Sequence, residues 1–361
     1  MIKNPIKKIV GIDPGTKSFD IYGVIFDNQK ETPFLDLSIP SAEVAQNPEV
    51  LLDPLVKHLP IEGIIGPSGY GLPVTKLIDA CDKDLELILP LEKKDAGGVS
   101  VNEGIKKLFY KMKKLALPVY FTPGVIHLPT VPYYRKLNRM DLGTADKLCI
   151  AVLAIKDQMQ RLGLSAKKTS FILLEMGYGF TAAIAVKNGQ VIDGLGGTSG
   201  FPGHLGSGHL DGELAIRFNK MPQKILFQGG AQSLLSRPNG TLKDLISNKD
   251  AFSLLIESAL KDIAVLLISH SKPKEIILSG RLAREKPIRQ ALVRAIKQHF
   301  PKLSLRYITR HAKVAKEAAE GAVVLGAGLL GIKYQDIIES LQIHKASGTM
   351  YDYIKLLPIK P

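Results

Sequence analysis

The fold is decided by the stretch Ile9-Val10-Gly11-Ile12-Asp13-Pro14-Gly15-Thr16-Lys17. Its β-branched start predicts a strand, Asp-Pro-Gly predicts a turn, and Phe19–Phe26 predicts a returning strand. At such a turn, a glycine lets the backbone approach a phosphate, which the Thr16 hydroxyl, the Lys17 charge and backbone N–H groups can bind. An aspartate there can hold Mg²⁺. An ordinary β-turn explains the same residues, because Asp, Pro and Gly are common in turns.

A second segment, in the other half of the chain, repeats this pattern. Leu174-Glu175-Met176-Gly177-Tyr178-Gly179-Phe180-Thr181 places an acid at the end of an apolar run, followed by two glycines and a hydroxyl. Thr181–Val186 and Gln190–Asp193 then predict strands joined by Asn188-Gly189, a pair typical of hairpin turns. Two such hairpins are expected of a protein that grips a nucleotide tail from opposite sides, whereas a lone turn needs no phosphate.

Two further glycine-containing segments follow. Ile276–Leu278 predicts a buried strand that ends in Ser279-Gly280-Arg281, as expected of an adenosine and phosphate site or of an ordinary strand-to-helix turn. Glu317–Gly328 is rich in alanine and glycine and predicts a closely packed helix. Within it, Glu320 is either a metal ligand or a solvated first-turn acid stabilised by the helix dipole.

The remaining pattern predicts an α/β protein of two domains. Apolar runs predict short strands at 62–66, 85–89 and 119–121. Helices are predicted from Thr144 to Gly163, over 252–269, and finally from about Ala315. Both halves begin with a strand, a glycine turn and a returning strand, which indicates an internal duplication of architecture. We place the domains at 1–155 and 156–361, with the last helices either in the second domain or returning to the first.

Composition limits the classes of protein. Of the 361 residues, 45% are hydrophobic, which is enough for a substantial core. The chain is also too long for one domain of ordinary size. No run approaches the roughly 20 apolar residues that span a bilayer, and no signal peptide is recognisable, so we expect a cytoplasmic protein without a membrane partner. Cys81 and Cys149 lack metal-ligand spacing and are expected to be thiols in or near the core. The net charge of +14 favours anionic partners, but the lysines are dispersed, which argues against nucleic acid.

Taken in order, the glycine segments and the predicted bridging helix resemble the actin-like ATPase superfamily of acetate and sugar kinases, heat-shock chaperones and actin. The phosphate 1, connect 1, phosphate 2, adenosine and connect 2 motifs of that superfamily fall at 11–17, 144–156, 174–181, 276–282 and 317–328. The resemblance covers nearly the whole chain and implies two ribonuclease H-like domains with a nucleotide cleft between them. It implies ATP and Mg²⁺ as cofactors. The implied nucleotide contacts are Asp13, Gly15, Thr16, Lys17, Gly177, Gly179, Thr181, Ser279 and Gly280, and the implied metal ligands are Asp13, Glu175 and Glu320.

Within that superfamily, Lys187–Asp193 and the later Ser207-Gly208-His209-Leu210-Asp211 resemble the acetate and butyrate kinase branch. The whole chain is also similar to an archaeal family labelled probable butyrate kinase. Two departures stand out, since Gly206 replaces an arginine of acetate kinases and Leu142 replaces a histidine. Those two groups stabilise a transferring phosphoryl group, so acetate-kinase chemistry is in doubt.

Gly143-Thr144-Ala145-Asp146-Lys147 instead resembles an element of type III pantothenate kinases, in which the aspartate is assigned as base. Asp146 is therefore the catalytic candidate, either accepting a proton or orienting water, with stabilisation of the helix N-terminus as the alternative. Arg281, Arg135 and Arg139 are candidates for neutralising phosphoryl charge. Arg135 and Arg139 fit a basic surface segment equally well.

The segment 194–212 predicts a long, flexible, glycine-rich loop, and such loops are more often functional than idle. Ser207, His209 and Asp211 are the candidate substrate contacts. A metal site formed by His204, His209 and Asp211 is the alternative, although their spacing lacks the fixed geometry of helical metal motifs.

Two functions remain open from the sequence. One is an ATP- and Mg²⁺-dependent kinase that phosphorylates a small-molecule acceptor, either a carboxylate such as butyrate or an alcohol. The other is an ATP-hydrolysing switch that regulates or activates a partner and has no small-molecule acceptor. A homodimer is compatible with both.

Overall fold

The computed structural model describes residues 6–15, 17–28, 30–66, 69–88, 99–218, 221–237 and 240–356. Thr16, predicted to contact the nucleotide, lies outside these described residues. The chain divides into two compact units. The first comprises Met1–Pro129, Thr144–Lys167 and Thr309–Thr349, and the second comprises Thr130–Gly143, Lys168–Ile308 and Met350–Pro361.

The first unit is built on a six-stranded sheet. Its strands are β1 (Lys7–Pro14), β2 (Ser18–Asp27), β3 (Lys30–Pro40), β4 (Gly63–Ile65), β5 (Thr75–Lys76) and β6 (Val119–Phe121). The strand order is β3-β2-β1-β4-β6-β5. Strands β1 to β3 form an antiparallel meander, β1, β4 and β6 run parallel, and β5 pairs antiparallel with β6.

Seven helices of the first unit are described. They are α1 (Ser41–Gln46), α2 (Glu49–Lys57), α3 (Asp82–Ile88), α4 (Val99–Lys114), α6 (Ala145–Leu162), α12 (Glu317–Leu329) and α13 (Gln335–Leu341). Alternate residues of β1 enter two separate cores, as the two-residue period of a strand requires. Val10 packs in a cluster with residues of α2 and α4, whereas Ile9 packs with Ala319 and Val323 of α12.

The small residues of α12 allow the close packing that the sequence predicted. A Cβ atom on Gly321 would lie 2.5 Å from the carbonyl carbon of Cys149 in α6. A Cβ atom on Gly11 of β1 would lie 2.7 Å from Cβ of Ala322. Such distances are far below van der Waals contact, so glycine is required at both positions for α12 to fit against α6 and β1.

The second unit is built on a five-stranded sheet. Its strands are β7 (Ser170–Met176), β8 (Thr181–Lys187), β9 (Gln190–Leu195), β10 (Glu275–Ser279) and β11 (Ser304–Tyr307). Its described helices are α5 (Tyr133–Lys136), α7 (Gly212–Arg217), α8 (Leu242–Ser247), α9 (Lys249–Ser269), α10 (Arg281–Arg284) and α11 (Lys286–His299). The core combines alternate residues of β7 and β10 with one face of α9 and α11.

The predicted duplication is confirmed at the level of topology. The second sheet has the order β11-β10-β7-β8-β9, with β7 to β9 antiparallel and β7, β10 and β11 parallel. The strands β6-β4-β1-β2-β3 of the first unit have the same order and the same relative directions. The turn at Asn188 and Gly189 has positive φ at both residues, 53° and 71°, as a type I′ hairpin requires.

Three local predictions from the sequence are wrong. Residues 85–88 of the run predicted as a strand lie in helix α3, because Asp82 and Asp84 favour its first turn and Leu85 and Ile88 share its buried face. Residue 89 lies outside the described residues. The helix predicted from about Ala315 begins at Glu317 but is not the final helix, because α13 follows it. Cys81 is exposed, and only Cys149 is a core thiol.

No helix among the described residues is long and apolar enough to cross a bilayer.

Candidate functional site

Two carboxylates face each other across the β1–β2 hairpin of the first unit. Asp13 and Asp20 are cross-strand partners, and they are 5% and 0% exposed. Like charges placed directly opposite destabilise a sheet. The ammonium of Lys316, the residue before α12, offsets this repulsion, since its Nζ lies 2.7 Å from Asp13 Oδ2 and 3.0 Å from Asp20 Oδ2. The hydroxyl of Ser18 also donates to Asp20 Oδ2 at 2.8 Å.

The turn that carries Gly15 and Lys17 is closed tightly beside these acids. The Gly15 N–H donates to the carbonyl of Ser18 at 2.9 Å. Ser41, the first residue of α1, donates its hydroxyl to the Gly15 carbonyl at 2.8 Å and its N–H to the Lys17 carbonyl at 3.0 Å. A Cβ atom on Gly15 would lie 2.9 Å from the Ser18 carbonyl oxygen and still closer to Lys316 Nζ. Glycine at position 15 therefore makes room for the ammonium.

Asp146 lies in the first turn of α6, also in the first unit. The Thr144 hydroxyl donates to its carboxylate, and Lys147 Nζ lies 2.8 Å from Asp146 Oδ2. Burial favours the neutral acid, but the charge and hydrogen bond of Lys147, together with Thr144, hold the pKa of Asp146 below its ordinary value. Asp146 is therefore ionised at neutral pH.

The charge of Asp146 also acts on Asp13. Burial raises the pKa of Asp13, the ammonium of Lys316 opposes that rise, and the negative charge of Asp146 adds to it. The structure therefore places these two predicted site residues in one electrostatic environment.

Glu320, predicted as a metal ligand or a solvated acid, is 2% exposed, so the solvated alternative is wrong. Its two oxygens accept the backbone N–H of His311 at 3.1 and 3.0 Å, and one accepts the N–H of Ala312 at 2.9 Å. Burial raises the pKa of Glu320, and these backbone donors oppose the rise. The contacts assign Glu320 to holding the segment before α12 in place.

The second unit carries the other predicted hairpin at the ends of β7, β8 and β10. The Gly177 N–H donates to the carbonyl of Phe180 at 3.0 Å, which closes the turn before Thr181. Glu175 is 6% exposed, and its neighbour in the register between β7 and β10 is Ser279. The side chains of Glu175 and Ser279 therefore lie on the same face of the sheet, at the C-terminal ends of β7 and β10.

Ser279 and Gly280 form the end of β10. The Ser279 hydroxyl is fully buried and makes no hydrogen bond within the part of the chain that the structure describes. Gly280 has a φ of +94°, and a Cβ atom there would lie 2.5 Å from the carbonyl carbon of Met176 in β7. Arg281 follows at the exposed start of α10.

The glycine-rich loop packs directly on the second hairpin. The N–H groups of Leu205 and Gly206 both donate to the carbonyl of Gly179, at 3.0 and 2.8 Å. A Cβ atom on Gly206 would lie 2.7 Å from Cε1 of Phe180. Without rearrangement, an arginine of the acetate-kinase type has no room at position 206.

Two buried acids that the sequence reasoning missed hold this loop. Asp141 accepts the N–H of Gly143 at 2.9 Å and both the N–H and the hydroxyl of Thr198 at 3.3 Å. Asp262 Oδ1 accepts the N–H of Phe201 at 3.0 Å, and its Oδ2 has no partner among the described residues. Burial raises the pKa of Asp262 to about 7, and the Phe201 N–H opposes the rise. The loop is therefore tied down, contrary to its predicted flexibility.

The predicted substrate contacts take part in local structure. Ser207 is buried, and its N–H donates to the carbonyl of Leu226 at 3.1 Å. The backbone N–H of His209 donates to the Gly200 carbonyl at 2.8 Å, and its Nδ1 lies 3.0 Å from the same oxygen. Asp211 caps α7 by accepting the Glu213 N–H at 2.9 Å.

The alternative metal site with His204 is not assembled. Among the described residues, no three His, Cys, Asp or Glu side chains are grouped so that they could hold a metal ion. The His204 ring instead packs edge-on against Tyr178, with centroids 4.7 Å apart.

Arg135 and Arg139 also serve the second unit itself. Arg135 donates to the carbonyl of Ile192 at 2.7 Å and lies 3.7 Å from Asp193. Arg139 donates to the carbonyl of Ser199 at 3.3 Å. Neither is left as a purely solvated surface residue.

The donor sets suit ATP and Mg²⁺. Proteins hold Mg²⁺ through one or two carboxylates together with substrate phosphates, and Asp13 and Asp20 supply two adjacent carboxylates, although an ammonium already contacts both. In the second unit, the buried Ser279 hydroxyl, which has no hydrogen-bond partner among the described residues, and the close backbone at Gly280 fit a nucleotide at a strand terminus.

Comparison with solved structures identifies the fold. Acetate kinase from Entamoeba histolytica superposes with a TM-score of 0.54 at 13% identity, covering 81% of this chain and 87% of that enzyme. Acetate kinase from Porphyromonas gingivalis superposes with a TM-score of 0.54 at 15% identity, covering 79% and 86%. The predicted fold class is confirmed, since the protein has the two-domain actin-like ATPase fold.

The chain belongs to the family described as Protein of unknown function (DUF1464), whose profile matches residues 11–356. No curated protein matches it.

Proposed function

We propose that the protein is an ATP- and Mg²⁺-dependent kinase that phosphorylates a hydroxyl group of a small molecule. In the first unit, Asp13 and Asp20 would hold Mg²⁺, Gly15 and Lys17 would contact phosphate, and Asp146 would act as base. In the second unit, Gly177, Gly179, Thr181, Ser279 and Gly280 would contact the nucleotide. Bound Mg²⁺ would supply charge neutralisation for the phosphates.

The observation that carries this proposal is the Asp146 carboxylate in the first turn of α6, which lies 2.8 Å from Lys147 Nζ and accepts the Thr144 hydroxyl. These contacts hold the pKa of Asp146 below its ordinary value. An ionised carboxylate can accept a proton from a hydroxyl as the phosphorus–oxygen bond forms.

The same chemistry favours an alcohol over a carboxylate as acceptor. A carboxylate such as butyrate carries no proton at neutral pH, so a positioned base has nothing to remove from it. Gly206 and the buried Leu142 also replace the charged groups that acetate kinases use. A butyrate kinase activity is therefore the less favoured form of the proposal.

Binding is tested first, by calorimetric titration of ATP with and without Mg²⁺. We expect saturable Mg²⁺-dependent binding to the parent protein that is weakened at least about tenfold in Asp13→Asn and in Gly179→Val. Gly212→Val is the matched control, because a Cβ atom at Gly212 meets nothing within 4 Å. Absence of ATP binding by the folded parent would refute the proposal.

Transfer is tested next, by measuring ADP release with pools of small alcohols and, separately, small carboxylates. We expect release that depends on an alcohol and a kcat about 10²-fold lower in Asp146→Asn, with ATP binding retained. Asp250→Asn, which removes an exposed acid from the first turn of α9, is the control. Slow hydrolysis that no acceptor accelerates would instead favour the switch, and release that depends on carboxylates would overturn the choice of acceptor.

A further inference from the structure

The acidic hairpin of the first unit is shaped around an internal cation. Lys316 Nζ contacts both Asp13 Oδ2 and Asp20 Oδ2, at 2.7 and 3.0 Å. It also lies 3.5 Å from the Ser18 carbonyl oxygen. Three oxygens from two adjacent strands therefore surround one ammonium.

The backbone holds Lys316 in this position. Asp36 of β3 accepts the N–H groups of Lys313, Val314 and Ala315, at 2.6, 3.2 and 2.7 Å. These three residues immediately precede Lys316, and Glu317 begins α12 directly after it. The lysine is thus anchored on both sides along the chain.

Charge also retains the ammonium. The two carboxylates that lie 2.7 and 3.0 Å from Lys316 Nζ attract it at close range. A protonated lysine and a divalent cation cannot occupy the same carboxylate oxygens, because both are positive and both need direct or water-bridged contact.

We propose that Lys316 competes with divalent metal for Asp13 and Asp20, so that the protein takes up Mg²⁺ together with nucleotide and not before it. This inference rests on the proposed function, because a nucleotide phosphate provides the alternative anion to which the Lys316 ammonium moves. The lysine thereby keeps the acidic pair closed to free Mg²⁺ and orders the binding of metal and nucleotide.

The test is metal binding to the nucleotide-free protein, measured with Mn²⁺ by electron paramagnetic resonance and with Mg²⁺ by calorimetry. We expect Lys316→Met to bind Mn²⁺ at least about tenfold more tightly than the parent. Lys313→Met is the control, since it removes the same charge from an exposed side chain three residues away and should leave affinity near that of the parent. Equal Mn²⁺ affinity in the parent and Lys316→Met would overturn the proposal.

A second measurement applies if Lys316→Met does not fold, as circular dichroism would reveal. The rate at which an amine-acylating reagent modifies Lys316 in the parent is followed by mass spectrometry. Because the ammonium closes the acidic pair to free metal, we expect Mg²⁺ together with ATP, and not Mg²⁺ alone, to accelerate this modification relative to Lys313. Acceleration by Mg²⁺ alone, or no acceleration by Mg²⁺ with ATP in a protein that binds ATP by calorimetry, would refute the proposal. The Mn²⁺ titration and the arm with Mg²⁺ alone contain no ATP, so their outcomes are independent of whether the proposed function holds.

Discussion

Replacing Gly280 with alanine should destabilise the second unit strongly. Its φ of +94° lies in the region that L-residues avoid, at a cost of about 1–2 kcal/mol. The new Cβ atom would also lie 2.5 Å from the carbonyl carbon of Met176 and closer still to its oxygen. Met176 belongs to β7, which is paired on both sides and cannot shift freely, so overlap adds about 1–3 kcal/mol. We expect a loss of about 3 kcal/mol in the free energy of unfolding.

Thermal unfolding followed by circular dichroism measures this loss. A change of 1 kcal/mol moves the Tm of a domain of this size by about 2–4 °C, so Gly280→Ala should lower the transition of the second unit by about 6–12 °C. Gly212→Ala is the matched control in the same unit, because a Cβ atom there meets nothing within 4 Å. That variant should be neutral or slightly stabilising.

The reasoning would be refuted if Gly280→Ala melted within about 2 °C of Gly212→Ala, a difference below that expected for 1 kcal/mol. Such a result would mean that neither the positive φ nor the proximity of β7 constrains the turn after Ser279. An unchanged Tm would also contradict the argument that position 280 needs glycine for the close approach of the β7 backbone.

Three further results are expected. Burial raises the pKa of Asp262 to about 7, so the stability that its neutral form contributes is present below about pH 4 and is lost as pH rises through 7. Asp262→Asn should therefore have a higher Tm than the parent at pH 8 and the same Tm at pH 4. Equal Tm values of the two proteins at both pH values would contradict this prediction. Burial opposes ionisation of Glu31, but Lys156 and further hydrogen bonds lower its pKa to about 2. Glu31→Gln should lower the free energy of unfolding in urea by about 2 kcal/mol at pH 7, and this difference should shrink as pH falls from about 4.5 to 2. A difference that does not depend on pH would exclude the charge of Glu31 as its source. A thiol reagent should titrate Cys81 at once and Cys149 only after denaturation, since burial raises the pKa of Cys149; two fast thiols in the native protein would contradict this.

Local periodicity was sufficient to predict most of the fold. The bridging helix spans Ala145–Leu162, with Gly163 at a φ of +60° as its C-terminal cap, close to the predicted limits. The strands at 63–65 and 119–121 and the Asn188-Gly189 hairpin also lie where predicted. The run at 85–89 failed because a short apolar stretch fits either a strand or one face of a helix, and only its tertiary contacts decide between them.

The contacts of the candidate site were less accessible to sequence reasoning. Asp20 left a signal, since it is a charge inside the apolar run Phe19–Phe26. Asp262 left a similar one on the apolar face of α9, at helical spacing from Leu255, Ala259 and Leu266. Lys316 left none, because its partners lie about 300 residues away in the sequence, and only the packing of α12 against β1 brings them together.

The segmented first unit has a consequence for biosynthesis. A ribosome releases the hairpin with Asp13 and Asp20 early, then the entire stretch from Lys168 to Ile308, and only afterwards Lys316 and α12. Until then the β1 face that receives α12 remains uncovered and its acids lack their ammonium. Contacts this distant along the chain form late, so we expect the first unit to finish folding only after the stretch Lys168–Ile308 of the second unit has been synthesised. This departs from the usual order, in which the N-terminal domain folds first.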